Sequence, residues 1–596
     1  MKHLFTLNRY FVRYKWHLLL GILFVTGSNY FGILIPQKIR EALDLVQASI
    51  WDVKNAEGTV KNSLRNGLED KLLHFGLIVT GFVILKGILM YYMRQTIIVM
   101  SRLIEYDMRK EVYRHLQTLD QSYYRSHQTG DIMARISEDV SKVRNYLGPG
   151  ILYGINLVSL FIMTIYVMLQ VDVTLTLFTL LPLPILSISI YYVSNLINKK
   201  SSRIQQQLSV LTNTAQETYS GIRVVKSYRK EEDFVQFFSV QSDEFRNRAL
   251  DLSKTEAWFQ PLMVLLIALS TLLVVFIGGY RVEAGQLTAG NIAEFILYVN
   301  MLTWPVTSIG WIASIIQEAE ASQARINEIL SEKPNIQNTN DTLYPVLGNI
   351  TFRNVGFVYP DTGIRALSTI NFTVRKGQRL AIFGKTGSGK TTIAELMVRL
   401  FDPTEGEILL DGKNLTEHNL NIVRDRIACV PQDVFLFSDT VKDNISFGKE
   451  DISTEQIYDV AASAAVKADI DQLPSGFDTV VGERGVTLSG GQKQRISIAR
   501  AFIRQPDVVI LDDVLSAVDT HTEQQILSYF SEALADKTAI VITHRANNLL
   551  NYDHIIILEG GRIVDEGTHE ELIQRDGYYR TIYDQQMMKS NLLEKN

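Results

Sequence analysis

The sequence predicts a chain in two parts, an all-α domain of six transmembrane helices followed by an α/β domain. Six apolar stretches lie before residue 320, and each is near the roughly 20 residues that a helix needs to cross a bilayer. From about residue 340, short β-branched runs alternate with helical segments, which is typical of an α/β domain. The predicted boundaries are 1–320 for the membrane domain, 321–340 for a linker and 341–590 for the α/β domain.

The composition fits this division. Of the 596 residues, 46% are hydrophobic and 21% are charged, a mixture expected when an apolar part is joined to a polar part. The net charge of −5 gives no reason to expect a nucleic-acid partner. The single cysteine, Cys429, excludes an internal disulfide. The sequence also lacks the short apolar core and cleavage site of a removed signal peptide, so none is expected.

The predicted spans lie at about 17–36, 75–95, 147–169, 172–197, 257–280 and 291–316. Buried helices of a large soluble core are the alternative, but six such stretches within 320 residues are far from the globular norm. The last span is the weakest, because polar residues such as Asn291 and Glu294 interrupt it. No strong charge pair is evident within the spans, which argues against transport driven by an ion gradient.

Basic residues on the flanks give the orientation. Lys and Arg precede the first span and are abundant in the links between spans two and three and between four and five, which places these segments in the cytoplasm. The first outside loop is an exception, because it also carries several cations, among them Lys54 and Arg65. We expect a multi-pass protein of the plasma or inner membrane with a cytoplasmic N-terminus and α/β domain.

The two long cytoplasmic links read as helical, and each is interrupted once, at Gln121–Val140 and at Gln216–Asp233. Each interruption has a turn glycine beside aromatic residues. It is either a solvated hairpin tip or a short cross-helix that docks onto another domain.

A phosphate-binding loop follows the predicted strand Arg379–Phe383. The octapeptide GKTGSGKT, with a helix after it, matches the P-loop pattern in its required strand–loop–helix setting. Its glycines let backbone N–H groups approach phosphate, and the helix start favours an anion. Lys390 would reach the β- and γ-phosphates of ATP, and Thr391 would bind Mg²⁺. The predicted ATP-binding residues here are Gly384, Lys385, Thr386, Gly387, Ser388, Gly389, Lys390, Thr391 and Thr392.

Asp512 is the second predicted metal ligand. The apolar run VVIL before it indicates a buried strand, so its carboxylate would emerge at a strand end, where α/β sheets bind ligands. A helix N-cap is the alternative role for such a residue. With the P-loop, Asp512 makes the second part a predicted α/β P-loop nucleotide-binding domain.

The residues between these motifs carry a family resemblance. LSGGQ (Leu488–Gln492) resembles the signature of ATP-binding-cassette (ABC) proteins. The family's other motifs stand around it in the family's order, with Tyr359 in FVYP, Gln432 in VPQD, GERG at 482–485, SAVD at 516–519 and His544 in ITHR. Six spans followed by one cassette resemble the family's half-transporter exporters, so the resemblance covers essentially the whole chain.

The resemblance implies a role for each matching residue. Tyr359 would stack on adenine, Gln432 would contact Mg²⁺ or the attacking water, and His544 would hold the γ-phosphate and that water. Asp519 would lie at the dimer seam. The signature residues would contact ATP held by the opposite cassette, so a dimer is required; they are Leu488, Ser489, Gly490, Gly491 and Gln492.

Asp513 departs from the family pattern, because the catalytic base at this position is a glutamate. The shorter side chain predicts ATP binding with slow hydrolysis, since a base must lie within hydrogen-bond reach of its water. Beside an intact LSGGQ, Asp513 resembles the degenerate-site subunit of bacterial heterodimeric multidrug exporters. Three alternatives stay open: a homodimer in which Asp513 still serves as base, a lipid or peptide exporter or flippase, and a regulatory or channel protein gated by ATP.

The transported compound is the least specified part of the sequence-based hypothesis. Scattered aromatic and polar residues of the spans suit an amphipathic substrate. They equally suit helix packing or the bilayer interface. The candidates for a cavity wall are Asn29, Tyr30, Phe31, Asn156, Trp304 and Trp311.

Overall fold

The computed structural model describes residues 2–342, 344–449, 451–482, 485, 488–514, 526, 536–546, 549 and 552–593. The chain divides into two compact units. The first comprises Met1–Leu116 and Gly130–Ser331, and the second comprises Gln117–Thr129 and Glu332–Asn596. The short segment Gln117–Thr129 thus groups with the second unit, whereas the sequence-based boundary at 320 assigned it to the first.

The first unit is all-α. Two π-helical turns, at Arg135–Asp139 and at Tyr146–Gly150, keep the chain helical from Thr129 to Val171. In chain order, with one short helix of the second unit included, the helices are α1 (Asn8–Arg13), α2 (Lys15–Asn55), α3 (Gly58–Leu116), α4 (Gln121–Ser126), α5 (Thr129–Ala134), α6 (Val140–Asn145), α7 (Ile151–Val171), α8 (Val173–Leu180), α9 (Pro182–Ser220), α10 (Ile222–Ser227), α11 (Glu231–Glu283) and α12 (Ala289–Ser331).

Among the described residues, five helical stretches are long and apolar enough to cross a membrane: α2, α3, Thr129–Val171, α11 and α12. They contain five of the six predicted spans. The fourth predicted span, at 172–197, falls on α8 and α9, which are separate helices divided at Leu181. Proline is favoured at a helix start because its missing N–H is unpaired there anyway, so Pro182 is suited to open α9.

One charge pair reaches into a predicted span, although its basic partner lies outside the spans. Glu294 of α12 lies inside the sixth predicted span with a fully buried side chain, and one of its oxygens is 3.1 Å from Nη1 of Arg40 in α2. Its other oxygen accepts a hydrogen bond of 2.9 Å from the Tyr298 hydroxyl. Arg40 follows the first predicted span, and only the packing of α2 against α12 brings the two charges together.

Replacing Arg40 by alanine is expected to destabilise the first unit. Removing one partner of a buried ion pair leaves the other charge uncompensated, at a cost of about 3–5 kcal/mol. We expect Arg40→Ala to lower the thermal midpoint in detergent, and Arg40→Ala with Glu294→Gln to recover part of the loss. Arg65→Ala is the matched control, because the Arg65–Glu69 pair is mostly exposed. Equal thermal midpoints for the Arg40 and Arg65 variants would contradict the stabilising role of the Arg40–Glu294 pair.

The described residues of the second unit form two sheets. The first is antiparallel, with strand order β2-β1-β4-β5; the second has order β10-β9-β3-β8-β7-β6, and β9, β3, β8, β7 and β6 run parallel. The strands are β1 (Ile350–Val358), β2 (Arg365–Val374), β3 (Arg379–Gly384), β4 (Glu405–Leu410), β5 (Lys413–Asn414), β6 (Ile427–Val430), β7 (Val508–Asp512), β8 (Thr538–Thr543), β9 (His554–Glu559) and β10 (Arg562–Gly567).

The helices of the second unit cover the parallel sheet. Every residue of β7 and β8 is buried, as expected for strands of a parallel sheet that is covered on both faces. Among the described residues, the helices after α12 are α13 (Lys390–Met397), α14 (Leu420–Arg426), α15 (Val441–Ser446), α16 (Thr454–Ser463), α17 (Lys467–Asp471), α18 (Gly490–Phe502), α19 (His569–Gln574) and α20 (Tyr578–Leu593). The predicted fold class, a helical transmembrane domain followed by an α/β P-loop domain, is confirmed.

Candidate functional site

Four neighbouring parallel strands deliver the site residues. The P-loop follows β3, His544 follows β8, Asp512 ends β7 and Gln432 lies shortly after β6. Because these strands are adjacent and parallel, their carboxyl ends meet at one edge of the sheet. Residues far apart in the sequence are thereby gathered at a single place.

The P-loop has the backbone that its glycines permit. Gly387 and Gly389 have φ values of 80° and 98°, a region that other residues rarely adopt. A Cβ on Gly384 would lie 2.2 Å from the Leu558 carbonyl oxygen, so no larger residue fits there. The Ser388 hydroxyl is buried and has no hydrogen-bond partner among the described residues. An unpartnered hydroxyl in such a loop fits a phosphate oxygen as its missing partner.

Lys390 begins α13 and turns back onto the loop. Its ammonium donates hydrogen bonds of 2.9 and 2.8 Å to the carbonyl oxygens of Gly384 and Lys385. Burial lowers the pKa of Lys390, and the nearby carboxylates of Asp512 and Asp513 oppose that shift. The cation is thus held at the loop by two neutral acceptors that phosphate oxygens can replace.

Thr391 and Asp512 form the oxygen-rich part of the site. The Asp512 side chain is buried and is hydrogen-bonded to Thr391. Burial raises the pKa of Asp512, the Thr391 contact opposes the rise, and the Asp513 charge adds to it. No cluster of three or more His, Cys, Asp or Glu side chains suited to a metal occurs in the described part of the chain. Mg²⁺ needs no such cluster, since it binds through one or two carboxylates, substrate phosphates and water, so these residues fit it.

Asp513 sits at a strained turn directly after β7. Its φ of 51° lies in the left-handed region, which aspartate tolerates better than most residues. Its N–H donates to the Ile542 carbonyl oxygen of β8 at 2.9 Å. The Oδ1 atom lies 2.9 Å from Nδ1 of His544, so the predicted base and the predicted γ-phosphate contact are joined directly.

Tyr359 is held beside the helix that follows the P-loop. Its hydroxyl donates to Glu395 at 2.8 Å and shares a hydrogen bond of 2.9 Å with Thr392. Phe357 and Phe401 contact its ring edge-on. The aromatic ring is therefore fixed in orientation before any ligand binds, as a stacking platform requires.

Sequence reasoning missed a further contact of Tyr359. The Arg125 guanidinium carbon of α4 lies 4.1 Å from the centroid of the Tyr359 ring, within cation–π range. Arg125 Nε is also 3.4 Å from a carboxylate oxygen of Asp361. Nothing in the sequence links Arg125 to Tyr359, although the interruption at Gln121–Val140 singled out the segment that carries it.

The structure brings most of the predicted site residues around one cavity of ≈ 290 Å³. The predicted residues that line it are Tyr359, Thr386, Gly387, Gly389, Lys390, Thr391, Thr392, Gln432, Asp512, Asp513 and His544. Gly384 and Ser388 belong to the same P-loop but are not among the residues that line the cavity. The Lys385 ammonium instead lies 2.8 Å from a Glu559 oxygen and 5.0 Å from the centroid of the Tyr578 ring.

The signature LSGGQ starts a different helix, α18. Leu488 is buried, and Ser489 caps the helix with a capping box. The Ser489 hydroxyl accepts from the Gln492 N–H at 3.2 Å, and the Gln492 side chain accepts from the Ser489 N–H at 2.9 Å. The first turn at Gly490 and Gly491 keeps the unpaired N–H groups of a helix start, which suit an anion. Asp519 lies outside the described residues.

Family models match both parts of the chain. The model of the ABC transporter transmembrane region matches residues 18–306, and the ABC transporter model matches residues 367–516. "Probable multidrug resistance ABC transporter ATP-binding/permease protein YheI" of Bacillus subtilis is 34% identical over 97% of this chain and 96% of its own. "Multidrug resistance-like ATP-binding protein MdlA" of Escherichia coli is 36% identical over 85% of this chain and 86% of its own.

A solved structure shares the fold across the whole length. The structure of a bacterial Atm1-family ABC exporter with ATP bound has a TM-score of 0.75 at 24% identity, covering 97% of this chain and 98% of the other. The family matches and the two relatives show that the chain belongs to the ABC transporter family. It is an ATP-driven exporter of the cell membrane, with a cytoplasmic cassette that binds ATP and couples its hydrolysis to transport.

Proposed function

We propose that this chain is the slow-site subunit of a heterodimeric exporter for amphipathic, multidrug-type compounds. Its own P-loop holds ATP with slow turnover, and its signature completes the faster site of a different chain that carries a catalytic glutamate. The observation that carries the proposal is Asp513, a short carboxylate in the base position whose Oδ1 lies 2.9 Å from His544.

The geometry supports slow hydrolysis with retained ATP binding. Asp513 is one C–C bond, about 1.5 Å, shorter than glutamate. A displacement of about 1 Å in a reacting group can cost on the order of 100-fold in rate. One Asp513 oxygen is also engaged by His544, so the carboxylate is held toward the imidazole. The predicted binding residues Lys390, Thr391 and Asp512 all line the cavity.

Each residue of the site has a separate task in this proposal. Tyr359 stacks on adenine, the P-loop N–H groups and Lys390 bind the phosphates, and His544 donates to the γ-phosphate. Gln432, which lies shortly after β6, contacts Mg²⁺ or the attacking water. Bound Mg²⁺, held by Thr391, Gln432 and Asp512, would neutralise charge on the phosphate oxygens.

A dimer follows from the separate positions of the two motifs. Exporters of this family work as dimers. The signature at the start of α18 is not among the residues that line the P-loop cavity of the same chain. It is intact, so it serves ATP bound to the opposite cassette. We propose that Asp519 lies at the seam between the cassettes.

The substrate class rests on the membrane unit and on the relatives. Trp304 and Trp311 of α12 are about half exposed, and both contact the Tyr153 ring edge-on, with centroids 5.2 and 5.5 Å apart. Aromatic surface with few charges suits an amphipathic compound. The printed names of the two relatives refer to multidrug resistance.

Uptake by inside-out vesicles tests the exporter assignment. Vesicles that hold this chain with a glutamate-bearing partner are expected to accumulate a fluorescent amphipathic dye with ATP but not with a non-hydrolysable analogue. Dye flux down its gradient without hydrolysis would instead indicate an ATP-gated channel. ATP-driven uptake by the chain alone would favour the homodimer.

Arg125 offers a test of coupling between the cassette and the chain segments that lead to the spans. We expect Arg125→Ala to lower substrate-stimulated ATP turnover of the paired transporter several-fold, because α4 loses its contact with Tyr359. ATP affinity should change by no more than about fivefold, since an exposed cation–π contact is worth about 0.5–1 kcal/mol. Arg125→Lys should keep part of the stimulation. A full loss of ATP binding, or unchanged stimulation, would contradict this role.

A further inference from the structure

The C-terminal helix α20 contacts both loops that bind phosphate. Tyr579 near its start is buried and packs edge-on against Phe383 of β3, the strand that leads into the P-loop. Its hydroxyl is 2.6 Å from Nδ1 of His569, which fixes the ring. Tyr578 lies over the ammonium of Lys385, the second residue of the P-loop. The start of α20 is therefore anchored beside the P-loop.

About two turns further along, Gln586 of α20 reaches the loop that carries His544. Its Nε2 donates to the His544 carbonyl oxygen at 3.0 Å, and its Oε1 accepts from the Ala546 N–H at 2.8 Å. A single carboxamide thus pairs with the main chain on both sides of Arg545. An amide side chain supplies this donor and this acceptor at once, on two neighbouring atoms.

These two hydrogen bonds matter because the sheet no longer holds the chain at this point. Strand β8 ends at Thr543, and its last pair with β3 is at that residue. His544 lies beyond the last hydrogen-bonded pair of this strand, and its side chain is 54% exposed. Ala546 is fully buried in the same apolar cluster as Tyr579. The loop that carries His544 and α20 are therefore packed together through that cluster.

We infer that Gln586 is a positioning residue that sets His544 for its contact with the γ-phosphate. Through the two main-chain hydrogen bonds it fixes the peptide of His544, and thereby the direction in which the imidazole leaves the backbone. The inference rests on the proposed role of His544. It adds that the C-terminal helix controls the hydrolytic geometry of the P-loop site, without itself touching nucleotide.

The chain supplies its own control. Gln585 precedes Gln586 on the same helix, has the same side chain and is exposed. Gln585→Ala should therefore match the natural chain in every measurement. Gln586→Glu keeps the acceptor for the Ala546 N–H and loses the donor to the His544 carbonyl. Gln586→Ala loses both hydrogen bonds.

The test is single-turnover hydrolysis of labelled ATP by this full chain paired with a half-transporter whose catalytic glutamate is replaced by glutamine, with protein in excess so that the slow rate of this chain's own site is measured. We expect Gln586→Ala to lower the rate about tenfold, Gln586→Glu to fall between it and the natural chain, and ATP affinity and thermal midpoint to stay within about twofold and 2 °C. His544→Ala and the double variant His544→Ala with Gln586→Ala should have the same rate, because a residue that acts through another is not additive with it.

The outcomes separate this inference from the proposed role of His544. If His544→Ala lowers the rate but Gln586→Ala does not, or if the two effects add, the inference is overturned and the role of His544 stands. If His544→Ala leaves the rate unchanged, both are overturned. A fall in the thermal midpoint of Gln586→Ala that accounts for its lost rate would show that α20 is only structural, and would also overturn the inference.

Discussion

Replacing Asp513 by glutamate is expected to raise ATP hydrolysis at this chain's own site by about 10- to 100-fold. The added methylene carries the carboxylate farther from the turn after β7, toward the position of an attacking water. The Ile542 carbonyl oxygen holds the N–H of residue 513 and the turn sets its φ of 51°, so we expect glutamate to adopt the same backbone at a somewhat higher conformational cost than aspartate. The rate is measured as phosphate release by the purified chain at saturating ATP.

Two further variants make this result specific. Asp513→Asn keeps the size and removes the charge, and we expect it to lower the already slow rate by no more than about threefold. Asp513→Glu combined with His544→Ala should lose the gain, because the γ-phosphate contact is then absent. If Asp513→Asn reduces turnover more than tenfold, Asp513 itself acts as the catalytic base. That result would favour the alternative in which this chain forms a homodimer.

Replacing Lys390 by alanine is expected to weaken ATP binding by about 10- to 100-fold. Hydrogen bonds to charged groups contribute about 1.5–3 kcal/mol, and no other described cation takes the place of Lys390 at the two loop carbonyls. Burial lowers the pKa of Lys390, and phosphate charge would favour its protonated form. The measurement is equilibrium binding of a fluorescent ATP analogue to the full chain.

Lys376→Ala is the matched control for Lys390, since Lys376 is an exposed lysine in the turn before β3. It should bind the analogue like the natural chain. The thermal midpoints of both variants, measured without nucleotide, should agree with that of the natural chain. Binding by Lys390→Ala within about threefold of the natural chain would contradict the assigned role.

The sequence allowed the order of motifs and the strands that carry them to be predicted, because each has a local signature. A P-loop needs a strand, glycines and a helix in a fixed spacing, and the structure places β3 and α13 around it. The carboxylate of Asp512 at the end of a buried strand is equally local. Such signals lie within a dozen residues of one another.

Contacts made by packing could not be predicted in this way. The Arg40–Glu294 pair joins helices far apart in the chain, and nothing in either local sequence names the other. The same holds for Arg125 over Tyr359 and for Gln586 on the loop of His544. The break between α8 and α9 at Leu181 was not predicted, because the apolar pattern continues across it. Pro182, directly after the break, was its only local signal.

The central claim is that this chain binds ATP at a slow site and completes the fast site of another chain. Its most direct test is ATP turnover by the purified chain alone, compared with the chain assembled with a glutamate-bearing half-transporter. We expect the pair to exceed the lone chain at least tenfold, to lose activity when the partner's glutamate is replaced, and to keep it with Asp513→Asn. A lone chain that hydrolyses ATP as fast as the pair would contradict the claim.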